Sequence, residues 1–150
     1  NVGYNLDALK KIYKNIELYG VEINRKAYKI VNKKYFCFNE SILNFKINKK
    51  FDLVFTAGVL IHQNPKYLKH IYKKMYDLSK KYIYISEYFN PTPITVRYRK
   101  HKNKLFKRDF AKDLTNCFPD LKLINYGFFW KEDPKLKGNC DNSNWFLFKK

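Results

Sequence analysis

Residues 51–62 of the chain read FDLVFTAGVLIH. Branched and aromatic residues fill most of the first five positions, and such a run is typical of a parallel strand covered on both faces. Thr56, Ala57 and Gly58 follow, and residues this small allow a flat ligand to lie close to the backbone. In open α/β sheets, ligands bind beyond the carboxyl ends of the strands. The stretch therefore predicts a buried strand that runs into a ligand site, with an ordinary turn as the alternative.

A glycine and a carboxylate upstream of this strand have the spacing of a nucleoside site. Gly3 precedes a predicted helix over residues 5–16, with Asn5 as the expected N-cap. A glycine turn that feeds a helix N-terminus suits an anionic group. Glu22 stands 19 positions later, at the tip of a strand predicted over residues 18–24. An acidic residue there is placed to bind two ribose hydroxyls, unless it is an ordinary surface carboxylate.

Two further strands bring polar residues to the same edge of the predicted sheet. Residues 35–42 predict a strand and a loop in which the backbone of Ser41 and Ile42 is placed to read the edge of a base. Residues 82–89 predict another strand, which runs into a rigid proline loop. We therefore expect Glu87, Tyr88 and Asn90 to cluster at the ligand edge.

His62 lies in the loop after the first quoted strand, where a loop-capping role and a chemical role are equally open. Its neighbours at the predicted ligand edge include Glu87 and Tyr88. If the reaction requires a base, these three side chains are the candidates for the catalytic groups.

Residues 94–107 form the most basic part of the chain. They predict either a lid that meets an acidic substrate or a solvated loop. Arg97, Arg99 and Arg108 are the candidate substrate-binding cations, together with Asn90.

The remaining pattern predicts the fold class. A helix is expected over residues 109–118, followed by strands over 121–130 and 145–148 that form an antiparallel pair. We predict one α/β domain over residues 1–150. Its Rossmann-like, mostly parallel sheet has helices on both faces and a C-terminal antiparallel hairpin.

Composition restricts the partners. Lys and Arg number 31 against 13 Asp and Glu, a net charge of +18 that suits nucleic acid or a phosphorylated substrate. An A/T-rich coding sequence would enrich the same residue types without any such partner. No apolar run reaches the ~20 residues of a membrane span. The three cysteines lack metal-ligand spacing, so we predict no metal site and a reduced, cytoplasmic protein.

Four segments carry a resemblance to a known family. Residues 18–24 (LYGVEIN), 51–62, 87–93 (EYFNPTP) and 105–111 (LFKRDFA) resemble the methylases associated with pseudaminic acid biosynthesis. That family is similar to class I S-adenosylmethionine-dependent methyltransferases, and the wider resemblance extends along the whole chain. It implies methyl transfer to a small polar acceptor, such as a sugar or nucleotide-sugar of a surface glycan. A nucleic-acid methyltransferase and a non-catalytic remnant are the alternatives.

The resemblance also assigns roles to individual residues. Around S-adenosylmethionine it places the end of the glycine motif at Asn1, Gly3 and Asn5, the ribose carboxylate Glu22, Ile23 beside the adenine, the adenine loop at Ser41 and Ile42, and Thr56, Ala57 and Gly58 under the methionine group. In that family a strand and an acidic residue precede the glycine turn, and neither is present here. We therefore expect a chain that begins within the glycine motif and lacks its first strand.

Overall fold

The computed structural model describes residues 1–136 and 140–150. The chain divides into two compact units, residues 1–48 and 49–150. A single domain over residues 1–150 stays a prediction. In the part of the chain that the structure describes, no helix is long and apolar enough to cross a membrane.

The first unit alternates helices and strands. Its elements are α1 (Tyr4–Ile12), β1 (Tyr19–Val21), α2 (Arg25–Val31) and β2 (Phe36–Phe38). The two strands are parallel, as expected for a βαβ unit, and Gly20 lies opposite Cys37. Leu6, Val31 and Phe45 are buried.

Local chemistry explains where the two helices begin. The Asn24 side chain caps α2, because its oxygen accepts the amides of Lys26 and Ala27 at 2.9 and 3.1 Å. The predicted cap of α1 is wrong. Gly3 is the N-cap, with a left-handed backbone at φ 95°, and Asn5 lies in the first turn. That helix ends at Ile12 and not at residue 16, because the backbone of Tyr13 is extended.

The second unit holds the remaining elements. They are β3 (Phe51–Ala57), two 3₁₀ helices (Leu60–His62 and Pro65–Tyr67), α3 (Leu68–Leu78), β4 (Ser79–Glu87), β5 (Ile94–Tyr98), β6 (His101–Lys107), α4 (Phe110–Cys117), β7 (Lys122–Phe129) and β8 (Ser143–Lys149). The main sheet has the order β3-β4-β8-β7. Strands β3 and β4 are parallel, whereas β8 is antiparallel to both β4 and β7. This mixed α/β arrangement confirms the predicted fold class, including the C-terminal antiparallel pair.

The core of the second unit lies where α3 and α4 pack on the sheet. Helix α3 contacts β3, β4 and α4. Its buried stripe is Leu68, Ile71, Tyr72 and Met75, as the helical spacing predicts. Asn64 begins the preceding 3₁₀ helix, and its side chain accepts the amide of Lys66 at 3.1 Å.

Two predicted features differ in the structure. Strand β3 was expected to be covered on both faces, yet Leu53 is 38% exposed. The reason is that β3 lies at an edge of this sheet. The basic segment was expected to be a loop or a lid, and it is an antiparallel hairpin formed by β5 and β6. Arg99 and Lys100 form its two-residue turn, both with positive φ.

Candidate functional site

Glu22 lies at the carboxyl end of β1, as the spacing predicts. Its backbone amide continues the sheet by donating to the Phe38 carbonyl at 3.0 Å. One carboxylate oxygen accepts the amide of Asn24 at 2.7 Å, which fixes the side chain at the end of β1. Asn1 is exposed, and its side-chain oxygen accepts the Val2 amide at 2.6 Å.

The next residue, Ile23, is 71% exposed although it is apolar. Asn39 fixes the backbone here, because its side-chain amide donates to the carbonyls of Glu22 and Ile23 at 2.8 and 3.2 Å. An ordered backbone with an exposed aliphatic side chain at the end of β1 presents an apolar surface next to a carboxylate.

Two features of the structure at position 3 favour glycine. Its φ of 95° is a conformation that other residues rarely adopt, and an added Cβ would lie 2.9 Å from Val31 Cγ2. No side chain caps the N-terminus of α1. The first backbone N–H groups of this helix are thus left without a side-chain cap, in the arrangement that favours anionic groups.

The loop after β2 is less open than expected. The Ser41 amide donates to the Glu40 carboxylate at 2.8 Å, and the Ser41 hydroxyl accepts the Leu43 amide at 3.2 Å. Both Ser41 and Ile42 are half-buried. The polar groups of Ser41 therefore stabilise the local turn, and reading a base edge with its amide would first require release of Glu40.

In the second unit, Thr56 and Ala57 end β3, and Gly58 follows the strand. The Gly58 amide donates to the Ser86 carbonyl at 2.9 Å, which continues the pairing of β3 with β4. Gly58 has a φ of 63°, and a Cβ added there would meet no atom within 4 Å. Open space therefore lies directly beside this backbone, whereas the Thr56 side chain is buried.

Glu87, at the carboxyl end of β4, is only 4% exposed. Its two oxygens accept the amides of Val59 and Ile61 at 3.2 and 3.3 Å. Burial raises the pKa of Glu87 to about 7, opposed by the hydrogen bonds from the Val59 and Ile61 amides. The Glu87 carboxylate thus fixes the backbone of the loop after β3.

His62 joins that same loop to the basic hairpin. Its Nδ1 lies 2.8 Å from the Lys104 carbonyl oxygen, and its ring centroid lies 5.2 Å from that of Tyr98. Because a carbonyl oxygen only accepts, Nδ1 carries the hydrogen. In the neutral ring Nε2 is then free to accept a proton, so the structural and chemical roles of His62 are compatible.

The Tyr88 and Asn90 side chains have hydrogen-bond partners other than Glu87. The Tyr88 hydroxyl donates to the Asp141 carboxylate. Burial, and then this bond, raise the pKa of Tyr88 well above its usual value. The Asn90 side-chain amide donates to the Thr92 carbonyl at 2.6 Å and so stabilises the proline loop.

The three predicted substrate-binding arginines separate in the structure. Arg108 is half-buried, lines a small cavity together with Glu87, and has its Nε 3.1 Å from an Asp113 oxygen. Arg97 and Arg99 lie on the hairpin and are exposed. The hairpin therefore presents its arginines to solvent, whereas Arg108 is half-buried and pairs with Asp113.

The sequence did not predict the hydrogen-bond partners of Tyr88 and His62. Asp141 follows 53 residues after Tyr88 in the chain, and Lys104 follows 42 residues after His62. No local pattern reports contacts of that separation. Tyr72 lies in the buried stripe of α3, and burial, followed by the negative charge of Asp113, raises the pKa of its hydroxyl.

We compared the chain with known protein families, sequences and structures. No protein-family model and no curated protein sequence matches the chain. Solved structures do. Magnesium protoporphyrin IX methyltransferase from Synechocystis with bound SAM is 16% identical, with a TM-score of 0.69, over 99% of this chain and 65% of that one. The chain thus spans just under two thirds of that protein's length.

Two further structures agree. Coclaurine N-methyltransferase bound to N-methylheliamine and SAH is 11% identical, with a TM-score of 0.75, over 100% of this chain and 65% of that one. N-methyltransferase NodS from Bradyrhizobium japonicum with SAH is 12% identical, with a TM-score of 0.69, over 99% of this chain and 73% of that one. Identities this low show the fold alone. The chain has the class I α/β fold of S-adenosylmethionine-dependent methyltransferases.

Proposed function

We propose that this protein transfers a methyl group from S-adenosylmethionine to a small anionic acceptor. The main support for this proposal is the position of the Glu22 carboxylate. Its carboxylate is fixed at the end of β1, 19 positions after the left-handed Gly3. A carboxylate in that position is suited to the two hydroxyls of a ribose.

The residues present fit the proposed cofactor. In the first unit, Glu22 would bind the ribose, the exposed Ile23 would cover the adenine, and the uncapped start of α1 would face the methionine carboxylate. In the second unit, the open space beside Gly58 admits a flat or extended group next to the backbone. Ser41 fits less well, because its amide already donates to Glu40.

When bound, S-adenosylmethionine supplies a methyl group that its sulfonium already activates. The chain's own task is mainly to hold the acceptor in line. We propose His62 Nε2 as the group that takes a proton if the acceptor must lose one, because its Nδ1 is fixed by Lys104. Glu87 is better suited to positioning, since both of its oxygens already accept loop amides.

The acceptor's charge is inferred from residues 88–108. This segment contains seven basic residues and no Asp or Glu: Arg97, Arg99, Lys100, Lys102, Lys104, Lys107 and Arg108. The hairpin that carries six of them is docked on His62. We propose an acidic sugar or a nucleotide-sugar as the acceptor, in cytoplasmic biosynthesis of a surface glycan of the pseudaminic acid type.

Calorimetric titration with S-adenosylhomocysteine tests the cofactor site. The test variant is Glu22→Gln, which keeps one oxygen to accept the Asn24 amide, removes the charge and replaces the other acceptor oxygen by an NH2 donor. Loss of charge-assisted hydrogen bonds should cost about 1.5–3 kcal/mol, or roughly 10- to 100-fold in affinity. Asp77→Asn is the matched control, because Asp77 is an exposed carboxylate on α3.

The proposal fails if the wild-type chain melts cooperatively yet does not bind S-adenosylhomocysteine. It fails equally if Glu22→Gln binds as tightly as the Asp77→Asn control. Titration with pyrophosphate tests the acceptor class separately: binding that is lost when Arg97 and Arg99 become Gln supports an anionic acceptor, and no binding to the wild-type chain contradicts it.

A further inference from the structure

Strand β7 and the residue after it carry a row of large apolar side chains that are more than half exposed among the residues that the structure describes. Tyr126, Phe128 and Trp130 are 65%, 55% and 52% exposed. Alternate residues of a strand point to the same face, so these three aromatic side chains share one face. Leu123 and Ile124 are also about half exposed. A soluble domain rarely leaves so many large apolar side chains together in water.

The same strand is an edge of its sheet. It pairs with β8 on one side, and within the described residues the sheet order β3-β4-β8-β7 ends there. Natural edge strands are usually short, or protected by charges or proline. Strand β7 is eight residues long and contains no proline, and Lys122 at its first position is its single charged residue. A register irregularity lies between Leu123 and Asn125, and the Tyr126 amide donates to the Asn125 side chain at 2.8 Å. The rest of the strand offers backbone groups that can pair with another strand.

The charge around β7 differs from that of the whole chain. Residues 120–136 contain three basic residues (Lys122, Lys131, Lys135) and three acidic ones (Asp120, Glu132, Asp133). The chain as a whole carries +18. Two copies that approach through any strongly basic face repel each other, whereas approach through this neutral strip avoids that repulsion.

We propose that β7 pairs edge to edge with the β7 of a second copy of this chain, antiparallel and about a two-fold axis. Such an interface is self-complementary, which is the common arrangement of homodimers. Antiparallel pairing extends the sheet across both copies and brings the aromatic rows of the two strands side by side. It also brings Lys122 of each copy toward the end of β7 that Glu132 follows in the other.

A nucleic-acid strand is the less suitable occupant of this surface. Exposed aromatic side chains do stack on bases, but such sites combine stacking with a positively charged groove. The strip around β7 has no excess of positive charge, so its chemistry favours a protein strand of the same kind.

Sedimentation velocity over a wide range of protein concentration tests the proposal. We expect the wild-type mass to approach twice that of the chain as the concentration rises. Phe128→Lys places a charge at the centre of the strip on an already exposed side chain, and we expect it to be monomeric. Ile12→Lys is the control, because Ile12 is 69% exposed but lies on α1, and we expect it to dimerise like the wild type.

Amide hydrogen exchange gives a second readout that does not depend on a variant. The outward amides of β7 should gain protection as concentration rises, while those of the β5–β6 hairpin should not. A wild-type chain that stays monomeric at every concentration overturns the proposal. So does a Phe128→Lys variant that dimerises normally, or a complex larger than a dimer.

Discussion

The Glu87 carboxylate at the end of β4 accepts the backbone amide of Val59, in the loop after β3, at 3.2 Å. This bond joins the ends of two parallel neighbouring strands. The other carboxylate oxygen of Glu87 accepts the Ile61 amide at 3.3 Å. One buried side chain therefore determines the path of the loop that leads from Gly58 to His62. The loop's shape is therefore a property of the neighbouring strand as much as of its own sequence.

The pH dependence of stability should reveal this buried carboxyl group. Its pKa is about 7 in the folded chain against 4.5 normally, so the folded state holds the proton more tightly than the unfolded state does. The contribution of Glu87 to stability is thus most favourable below about pH 4.5 and declines as pH rises through about 7. The total loss is on the order of 3 kcal/mol.

Urea unfolding of the wild type and Glu87→Gln over this pH range measures the effect. Because the amide does not ionise, the variant should gain stability relative to the wild type as pH rises. A stability difference that does not change between about pH 5 and pH 8 would contradict the raised pKa.

The stability of the chain should rise when the two charged residues in the turn of the basic hairpin are replaced. Arg99 and Lys100 both have positive φ in a two-residue hairpin turn, a position for which Asn-Gly is preferred. Replacing them by Asn and Gly should raise the stability by about 1 kcal/mol. The same change should weaken pyrophosphate binding, if these cations contact the acceptor. Thermal melting and calorimetry on one sample measure both effects, and a variant that is less stable than the wild type would refute the strain argument.

Docking of the hairpin on His62 should protect it from protease. The hairpin contains six Lys and Arg residues, so trypsin cleavage reports its opening. His62→Ala removes both the hydrogen bond to the Lys104 carbonyl and the ring contact with Tyr98. We expect faster cleavage within residues 97–107, with little change for His70→Ala on α3. Equal cleavage rates in the two variants would show that His62 does not hold the hairpin.

A side chain at residue 58 should separate folding from cofactor binding. Gly58→Ala meets no atom within 4 Å, so its expected cost is the strain of the positive φ, about 1 kcal/mol. The added methyl group would nevertheless enter the space that we assign to the cofactor. We therefore expect a modest fall in the melting temperature and a larger loss of S-adenosylhomocysteine affinity. Unchanged affinity would place the cofactor away from this loop.

The apolar periodicity of the sequence was sufficient to predict most of the helices and strands. The stripe from Leu68 to Met75 specified α3, and the caps Asn24 and Asn64 specified where helical segments begin, because a cap acts on amides only two or three residues away. The position of Glu22 at the end of β1 was predictable for the same reason, since strand ends and turns are determined locally. The predicted cap Asn5 was wrong because α1 begins after Gly3, whose left-handed backbone starts the helix and leaves Asn5 in its first turn.

By itself, the sequence determined most of the helices and strands, the C-terminal antiparallel pair and the carboxylate at the end of β1, but not the β5–β6 hairpin. Only the tertiary structure decided what the polar side chains of the candidate site do. It buried Glu87 under the loop after β3, directed Tyr88 to Asp141, and joined His62 to the hairpin through Lys104. Periodicity and capping act between near neighbours in the chain, whereas each of these bonds joins residues 28 or more positions apart, and only packing brings such residues together.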